Sequence, residues 1–226
     1  MNTLRILVAD DHEVVRRGLI FIIKSQPTWE VCAEADNGRQ AVELAKQLKP
    51  AIAILDIGMP TLNGLEATRQ ILRDNPQTRV LILTITDTDQ AVRAVLDAGA
   101  RGFLLKSDAA RDLVSAIEAL QYNRTFFTAR VAELVLAGYH GTHGSPRKDL
   151  LPNLTPRERE VVQLLAEGKS TKEVASHLNL SVKTAETHRS NIMRKLGLHC
   201  VSELVLYAVR NNIIQIPTTQ ALGTTQ

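Results

Sequence analysis

The chain has 226 residues, 44% of them apolar and 23% charged, which excludes a largely disordered polypeptide and is long enough for two modest domains. Aromatic residues make up only 4%, so an extensive base-stacking surface is excluded. The net charge of +3 is unevenly spread: residues 1 to 124 carry 15 basic and 16 acidic side chains, and residues 151 to 226 carry 9 and 6, so the positive excess sits in the tail half.

Residues 1 to 121 alternate between short, β-rich apolar runs and amphipathic stretches, the pattern of a parallel sheet covered by helices on both faces. Strands are expected near 4–9, 30–35, 51–55, 79–84 and 101–105. The intervening helices are expected near 13–25, 38–48, 63–74, 88–98 and 108–121. Asn37-Gly38, Asn63-Gly64 and the segment from Gly99 to Gly102 supply turn chemistry between them. The apolar runs are of strand length, and Asp10 and Asp11 interrupt the first before a signal-like core develops, so a cytoplasmic protein without membrane contact is expected. Cys32 and Cys200 lie far apart with no ligand spacing around them, which speaks against zinc and a disulfide and leaves both as expected packing residues.

After Thr128 the pattern changes. Residues 129–138 are expected to form a connecting helix, and the stretch from Gly138 to Pro152, rich in Gly, His, Ser and Pro, reads as a linker. From Leu154 the periodicity is helical. Thr155, Pro156 and Glu158 form a start signal for a helix that Gly168 stops, and three further helices are expected near 171–177, 182–196 and 201–211. The organisation is thus 1–124 for the α/β domain, 125–153 for the linker, 154–212 for a small all-α domain and 213–226 for a fraying tail.

In a parallel α/β sheet, ligands sit beyond the carboxyl ends of the strands. There the sequence places Asp10 and Asp11 after the first strand, Asp56 after the third, Thr84 at the end of the fourth and Lys106 after the fifth. Three carboxylates in one cleft repel one another unless their pKa values rise or a divalent cation is bound, and a hard cation with oxygen ligands, Mg²⁺ above all, resolves the conflict. With such an ion the Asp56 carboxylate is free to attack an incoming phosphoryl group, Thr84 to hydrogen-bond a phosphoryl oxygen and Lys106 to neutralise another. A single carboxylate at a strand end is more often a helix cap; five polar residues at successive strand ends are not explained that way. A dinucleotide site needs a glycine-rich turn where this chain has Asp10-Asp11-His12-Glu13. A phosphatase with an aspartyl nucleophile needs a second carboxylate where this chain has Gly58.

With Val8-Ala9-Asp10-Asp11-His12, Leu55-Asp56-Ile57-Gly58-Met59-Pro60, Asn63-Gly64, Leu83-Thr84 and Gly102-Phe103-Leu104-Leu105-Lys106, residues 4 to 121 resemble a response-regulator receiver domain. The resemblance implies a flavodoxin-like, doubly wound five-stranded parallel sheet and transfer of a phosphoryl group from a sensor histidine kinase to Asp56. It further implies Mg²⁺ held by Asp11, Asp56 and the Gly58 carbonyl, and by Asp10 through water. Thr84 would move toward the phosphoryl group and Phe103 would turn inward. Two positions depart from the family pattern. Ser107 stands where a proline permitting a cis bond is common, which puts the loop geometry at issue. Ile85 replaces the usual small residue, and is expected to crowd the path of Phe103 and slow its movement.

On the helix from about Val182 to Leu196, one face carries Lys183, Glu186, Thr187, Ser190 and Arg194, while Val182, Ala185, Ile192 and Leu196 are expected to pack inward. A short helix and a tight turn near 179–181 precede it, as in a helix-turn-helix whose second helix enters the DNA major groove. Lys183, Arg189, Arg194 and Lys195 would hold phosphates; Glu186, Thr187 and Ser190 would face base edges. His188 is expected to pack rather than to contact phosphate. Through Leu154-Thr155-Pro156-Arg157-Glu158-Arg159-Glu160, Leu165-Ala166-Glu167-Gly168, Val174-Ala175 and Ser181-Val182-Lys183-Thr184 continuing to Met193-Arg194-Lys195-Leu196, residues 154 to 211 resemble the LuxR-type domain of the NarL/FixJ family. Thr184 joins the expected DNA-facing set through that match.

The expected protein is therefore a phosphorylation-controlled transcriptional regulator of a two-component system, not an enzyme. It would be inhibited or monomeric when unphosphorylated and a homodimer on duplex DNA when active, with RNA polymerase a candidate partner. A phosphate-independent regulator is the nearest alternative, disfavoured because all five pocket residues are present. A LuxR protein sensing a small molecule needs an aromatic-lined cavity, for which the single Trp29 and the acidic pocket are poor material.

Overall fold

A computed structural model of the chain describes residues 3–85, 88–127, 131 and 154–215, and the chain divides into two compact units, 1–160 and 161–226. In the first, strands β1 (Leu4–Ala9), β2 (Trp29–Ala35), β3 (Ile52–Asp56), β4 (Arg79–Thr84) and β5 (Gly102–Leu105) form one sheet in the order β2-β1-β3-β4-β5. Every pairing is parallel. Helices α1 (Glu13–Lys24), α2 (Gly38–Leu48), α3 (Gly64–Asp74) and α4 (Asp89–Asp97) make the four crossovers, and α5 (Ala109–Gln121) follows β5.

The period-2 alternation of a strand sorts its side chains to two cores. Leu7 and Ala9 of β1, Ala53 and Leu55 of β3 and Val80 and Ile82 of β4 pack with Ala41 and Ala45 of α2, Ile71 of α3 and Val92 and Val95 of α4. Their alternates, Ile6, Val8, Ile52, Ile54, Leu81 and Leu83, pack with Leu19, Ile20 and Ile23 of α1 and Leu113, Ala116, Ile117 and Leu120 of α5. The sheet is doubly wound, and strands buried on both faces have their free ends only at the two edges of the strand array.

The two Asn-Gly pairs do more than turn the chain. Asn37 and Asn63 are helix N-caps, accepting from the backbone N–H of Gln40 and Glu66, each at 2.9 Å. The glycines that follow are required by close backbone approach: a Cβ on Gly38 would stand 2.0 Å from the Leu62 carbonyl oxygen, and one on Gly64 would stand 2.0 Å from that of Asp56.

Helix α6 (Pro156–Ala166) opens with a reciprocal cap. Thr155 Oγ1 accepts from Glu158 N at 3.2 Å and Glu158 Oε2 accepts from Thr155 N at 2.7 Å. Gly168, at φ 84°, lies just beyond its end. Helices α7 (Thr171–His177), α8 (Val182–Leu196) and α9 (Val201–Arg210) follow, and bury Val174, Ala175, Ala185, Ile192, Leu204 and Ala208. Of the expected linker, residues 125–127 and Val131 are described, and Phe126 N donates to the Arg101 carbonyl at 3.0 Å beside β5; the remaining linker residues and the tail from 216 fall outside the described residues. No helix among the described residues is long and apolar enough to cross a membrane.

Replacing Gly64 by alanine should cost about 3 kcal/mol, because the new methyl meets backbone rather than a flexible side chain. Gly18, inside α1 with nothing within 4 Å of an added Cβ, should instead gain about 0.5 kcal/mol on the same change. Urea denaturation of the two variants checks both signs.

Candidate functional site

Register brings the strand-end residues together. Asp56 closes β3 and pairs with Leu83 of β4, Thr84 follows Leu83 and pairs with Leu105 of β5, and Lys106 comes next. Asp10 follows Ala9, which pairs with Leu55 of β3, so one edge of the sheet carries Asp10, Asp56, Thr84 and Lys106. Asp10 and Thr84 are 0% exposed and Asp56 2%, which is costly for two carboxylates without counter-charge. Lys106 Nζ bridges them, 2.9 Å from Asp10 Oδ2 and 3.0 Å from Asp56 Oδ2. Asp11 stands at the rim.

Ser107 does not disturb this arrangement. Residues Lys106–Asp108 form a 3₁₀ turn, and no peptide bond among the described residues is cis, yet Lys106 reaches both carboxylates. Ile85 is 59% exposed, and the Phe103 ring is enclosed at 1%. Gly58 is half-buried two residues beyond Asp56.

Two residues of the pocket are missed by strand-end reasoning. His12 donates its backbone N–H to Asp10 Oδ1 at 2.9 Å and holds Nδ1 2.7 Å from Asp11 Oδ1. Arg16, one turn into α1, donates from Nη1 to the Asp10 carbonyl at 2.7 Å and so ties down the loop that carries both aspartates. The Asp-Asp-His run hinted at the first; the second needs the helix's direction, which periodicity does not supply.

Burial pushes the Asp56 carboxyl above its ordinary range. Lys106 opposes this, and Asp10 and Asp11 add to it. For Lys106, burial disfavours the ammonium, but the carboxylates of Asp56 and Asp10 outweigh it and its pKa is raised. The donor set fits a hard divalent cation: one ligand atom each from Asp10, Asp11, His12 and Asp56 lies within 4.8 Å of the others. Asp10 Oδ2 is moreover buried without a well-directed hydrogen bond, even with the ammonium at 2.9 Å.

The second unit presents a different surface. Lys183, Thr184, Glu186, Thr187, Arg189, Ser190, Arg194 and Lys195 are all exposed on α8, while Ala185 and Ile192 are buried. The turn before α8 holds Asn179 at φ 52°, and Ser181 caps the helix by accepting from Thr184 N at 3.0 Å. The Thr184 hydroxyl is shared with the Ser181 hydroxyl at 2.7 Å, so part of its hydrogen-bonding capacity serves the cap. Val182 is 43% exposed and Leu196 only half-buried, so the inward face is narrower than periodicity predicts. His188 is half-buried. Cys32 is half-buried, whereas Cys200 is exposed just before α9 and is not a packing residue.

Residues 6–118 match the family described as response regulator receiver domain, and residues 152–208 match bacterial regulatory proteins, luxR family. The transcriptional regulatory protein LiaR of Bacillus subtilis is 36% identical over 213 residues, covering 93% of this chain and 99% of LiaR. The response regulator protein VraR of Staphylococcus aureus is also 36% identical over 213 residues, covering 94% of this chain and all of VraR (100%). The chain belongs to the two-component response regulators with a LuxR-type DNA-binding domain. Among solved structures, RcsB from Salmonella enterica serovar Typhimurium, bound to a promoter in the presence of the phosphomimetic BeF₃⁻, is similar at TM-score 0.57 and 29% identity, covering 91% of this chain and 98% of that one. The regulator's acidic pocket thus lies in its receiver domain and its exposed helix α8 in its DNA-binding domain.

Because the folded-state pKa of Asp56 is raised, its contribution to stability is present below the carboxyl's unfolded value and is lost as pH rises through the folded one. At neutral pH and without divalent metal, Asp56→Asn should therefore raise the melting temperature, by on the order of 3 °C. The gain should shrink as pH falls through the raised pKa. Thermal denaturation in a chelator across pH 5 to 8 (roughly the range of greatest stability) checks the sign, and a variant that melts lower at neutral pH would contradict it.

Proposed function

We propose that Asp56 of this regulator accepts a phosphoryl group from the phosphohistidine of a sensor histidine kinase, and that the modification controls binding of promoter DNA through α8. The observation that carries the reading is the Lys106 ammonium held between two buried carboxylates at the ends of adjacent strands. In the transfer, an Asp56 carboxylate oxygen forms the new bond to phosphorus as the bond from phosphorus to the histidine nitrogen breaks, and the imidazole leaves with that electron pair. Lys106 and the Thr84 hydroxyl would hold phosphoryl oxygens. Asp10, Asp11, Asp56 and the Gly58 carbonyl would hold Mg²⁺, which neutralises charge on the transferring group when bound.

The chemistry is self-directed, with Asp56 as both nucleophile and product, so the protein is a regulator rather than an enzyme. Added phosphoryl charge biases a two-state element that includes Thr84 and Phe103. Residues 1–124 form the receiver, 125–153 the linker, 154–212 the DNA-binding domain and 213–226 the tail. In α8, Lys183, Arg189, Arg194 and Lys195 contact phosphates, and Thr184, Glu186, Thr187 and Ser190 lie toward base edges. The active form is a homodimer on two half-sites, acts in the cytoplasm and works through RNA polymerase.

Binding of the full chain to genomic DNA fragments, with and without a small phosphodonor and Mg²⁺, tests the switch. The wild type should bind more tightly with the donor and Asp56→Ala should not respond; identical wild-type binding in both conditions would remove the phospho-switch and leave DNA binding standing. Lys183→Gln and Lys195→Gln should each weaken binding on all sequences alike and reduce the salt slope by about 1. Glu186→Gln should instead change the preferred base at one position, read by selection from a randomised site.

A further inference from the structure

We propose that residues 125–127 form a strap on the free edge of β5, and that Phe127 is the positioning residue through which the state of Phe103 reaches the linker and the DNA-binding domain. This rests on the phospho-switch proposed above, in which Phe103 belongs to the two-state element. β5 ends the strand order and so has one edge without a partner strand. Two backbone hydrogen bonds cover that edge. Phe126 N donates to the Arg101 carbonyl at 3.0 Å and Phe103 N to the Phe126 carbonyl at 2.9 Å, which makes a parallel bridge between Gly102 and Phe126.

The turn before the strap is held on both sides. At the end of α5, Asn123 N donates to the Leu120 carbonyl at 2.9 Å and Arg124 N to that of Ala119 at 2.8 Å, the paired bonds that close a helix over a left-handed residue. That residue is Asn123, at φ 61°. Its side chain fixes the turn to the sheet, because Asn123 Oδ1 accepts from Arg101 Nη1 at 3.0 Å and from Arg79 Nε at 3.4 Å. Arg101 is thus bound twice, by its side chain to the turn and by its carbonyl to the strap.

Register then sorts two phenylalanines to opposite faces. Phe126 packs against the core of α1 and α5, the side on which a Cβ at its partner Gly102 would meet Leu81 Cδ1 at 2.6 Å. One step on in the same register come Phe103 and Phe127, and both belong to the core on the α2–α4 side. Val131 is buried in that core as well. In a close-packed interior a ring that changes rotamer obliges its neighbour to move or to fill the space, so Phe127 must respond to Phe103. The backbone adds a second link, since the residue that carries the ring also donates its N–H to the strap. Otherwise the strap is lightly held: Thr125 is exposed, and Phe126 and Phe127 are half-buried. Such a segment lies toward the low end of local stability, where a small bias changes populations.

The test follows the full-length regulator by phosphoryl uptake, read from intact mass, and by DNA affinity with and without a small phosphodonor and Mg²⁺. Phe127→Ala should take up the phosphoryl group as the wild type does. Its donor-dependent gain in DNA affinity, about 5- to 150-fold for sites coupled in the usual range, should fall to about twofold or less. Phe127→Tyr keeps the ring and can turn its hydroxyl to water from a half-buried position, and should restore the gain. A second measurement needs no variant: in the wild type the donor should change hydrogen exchange at the Phe103 and Phe126 amides together, by about tenfold or more. A Phe127→Ala protein that keeps the wild-type gain, or a Phe103 amide that responds while that of Phe126 does not, would overturn the strap. Failure of the phospho-switch itself shows separately, as a wild type without uptake or without any gain, and would remove the relay with it.

Discussion

The interaction on which the receiver depends is the bridging of two buried carboxylates by one ammonium. Asp10 and Asp56 are almost wholly withdrawn from water, and each would repel the other at the end of neighbouring strands. Lys106, from the strand end two positions along the sheet, approaches both to about hydrogen-bonding distance and offsets the repulsion without eliminating it. The raised pKa of Asp56 shows which side prevails: burial and its acidic neighbours outweigh the lysine. A pocket in that condition favours further positive charge.

Parallel topology makes this juxtaposition unavoidable. In the order β2-β1-β3-β4-β5 all strands run the same way, so their carboxyl ends gather at one edge and any polar residue that terminates an apolar strand is delivered there. Asp10, Asp56, Thr84 and Lys106 were legible in the sequence for that reason: each interrupts an apolar run at the point where a doubly buried strand must stop. Arg16 was not legible, because its contribution comes from a side chain folding back from α1 to the Asp10 carbonyl, and neither period nor spacing fixes such a reach. The glycines after Asn37 and Asn63 were read as turn formers, when their requirement is the carbonyl oxygen of a distant segment. In the helical unit the exposed basic face was fully legible. The inward face was overestimated at Val182, since hydrophobic period says which side an apolar residue is on and not whether another helix covers it.

The same polarity gathers the amino ends of the strands at the opposite edge, where the period-2 alternation divides the cations rather than gathering them. Arg5 leaves the sheet on the face of α2 and donates to the Leu48 carbonyl, and Arg79 leaves it on the face of α5 and donates to Asn123 Oδ1. Arg5 and Asp10 lie on one strand segment five residues apart, as do Ala51 and Asp56, and Arg79 and Thr84. The carboxylates of the other edge are gathered because they stand at or beyond the strand ends, where alternation no longer separates side chains by face.

The two departures from the family pattern bear on how a signal leaves the acidic pocket. Ser107 turned out to be accommodated by a 3₁₀ turn that keeps Lys106 on target, so the lysine's position depends on the β5 register and the two carboxylates more than on the residue after it. Ile85 stands in solvent while Phe103 is enclosed among the residues of the α2–α4 side of the core. Phe103 contributes its whole ring to the core, whereas the Ile85 side chain stays hydrated and contributes little burial, a cost that a small residue at that position would avoid.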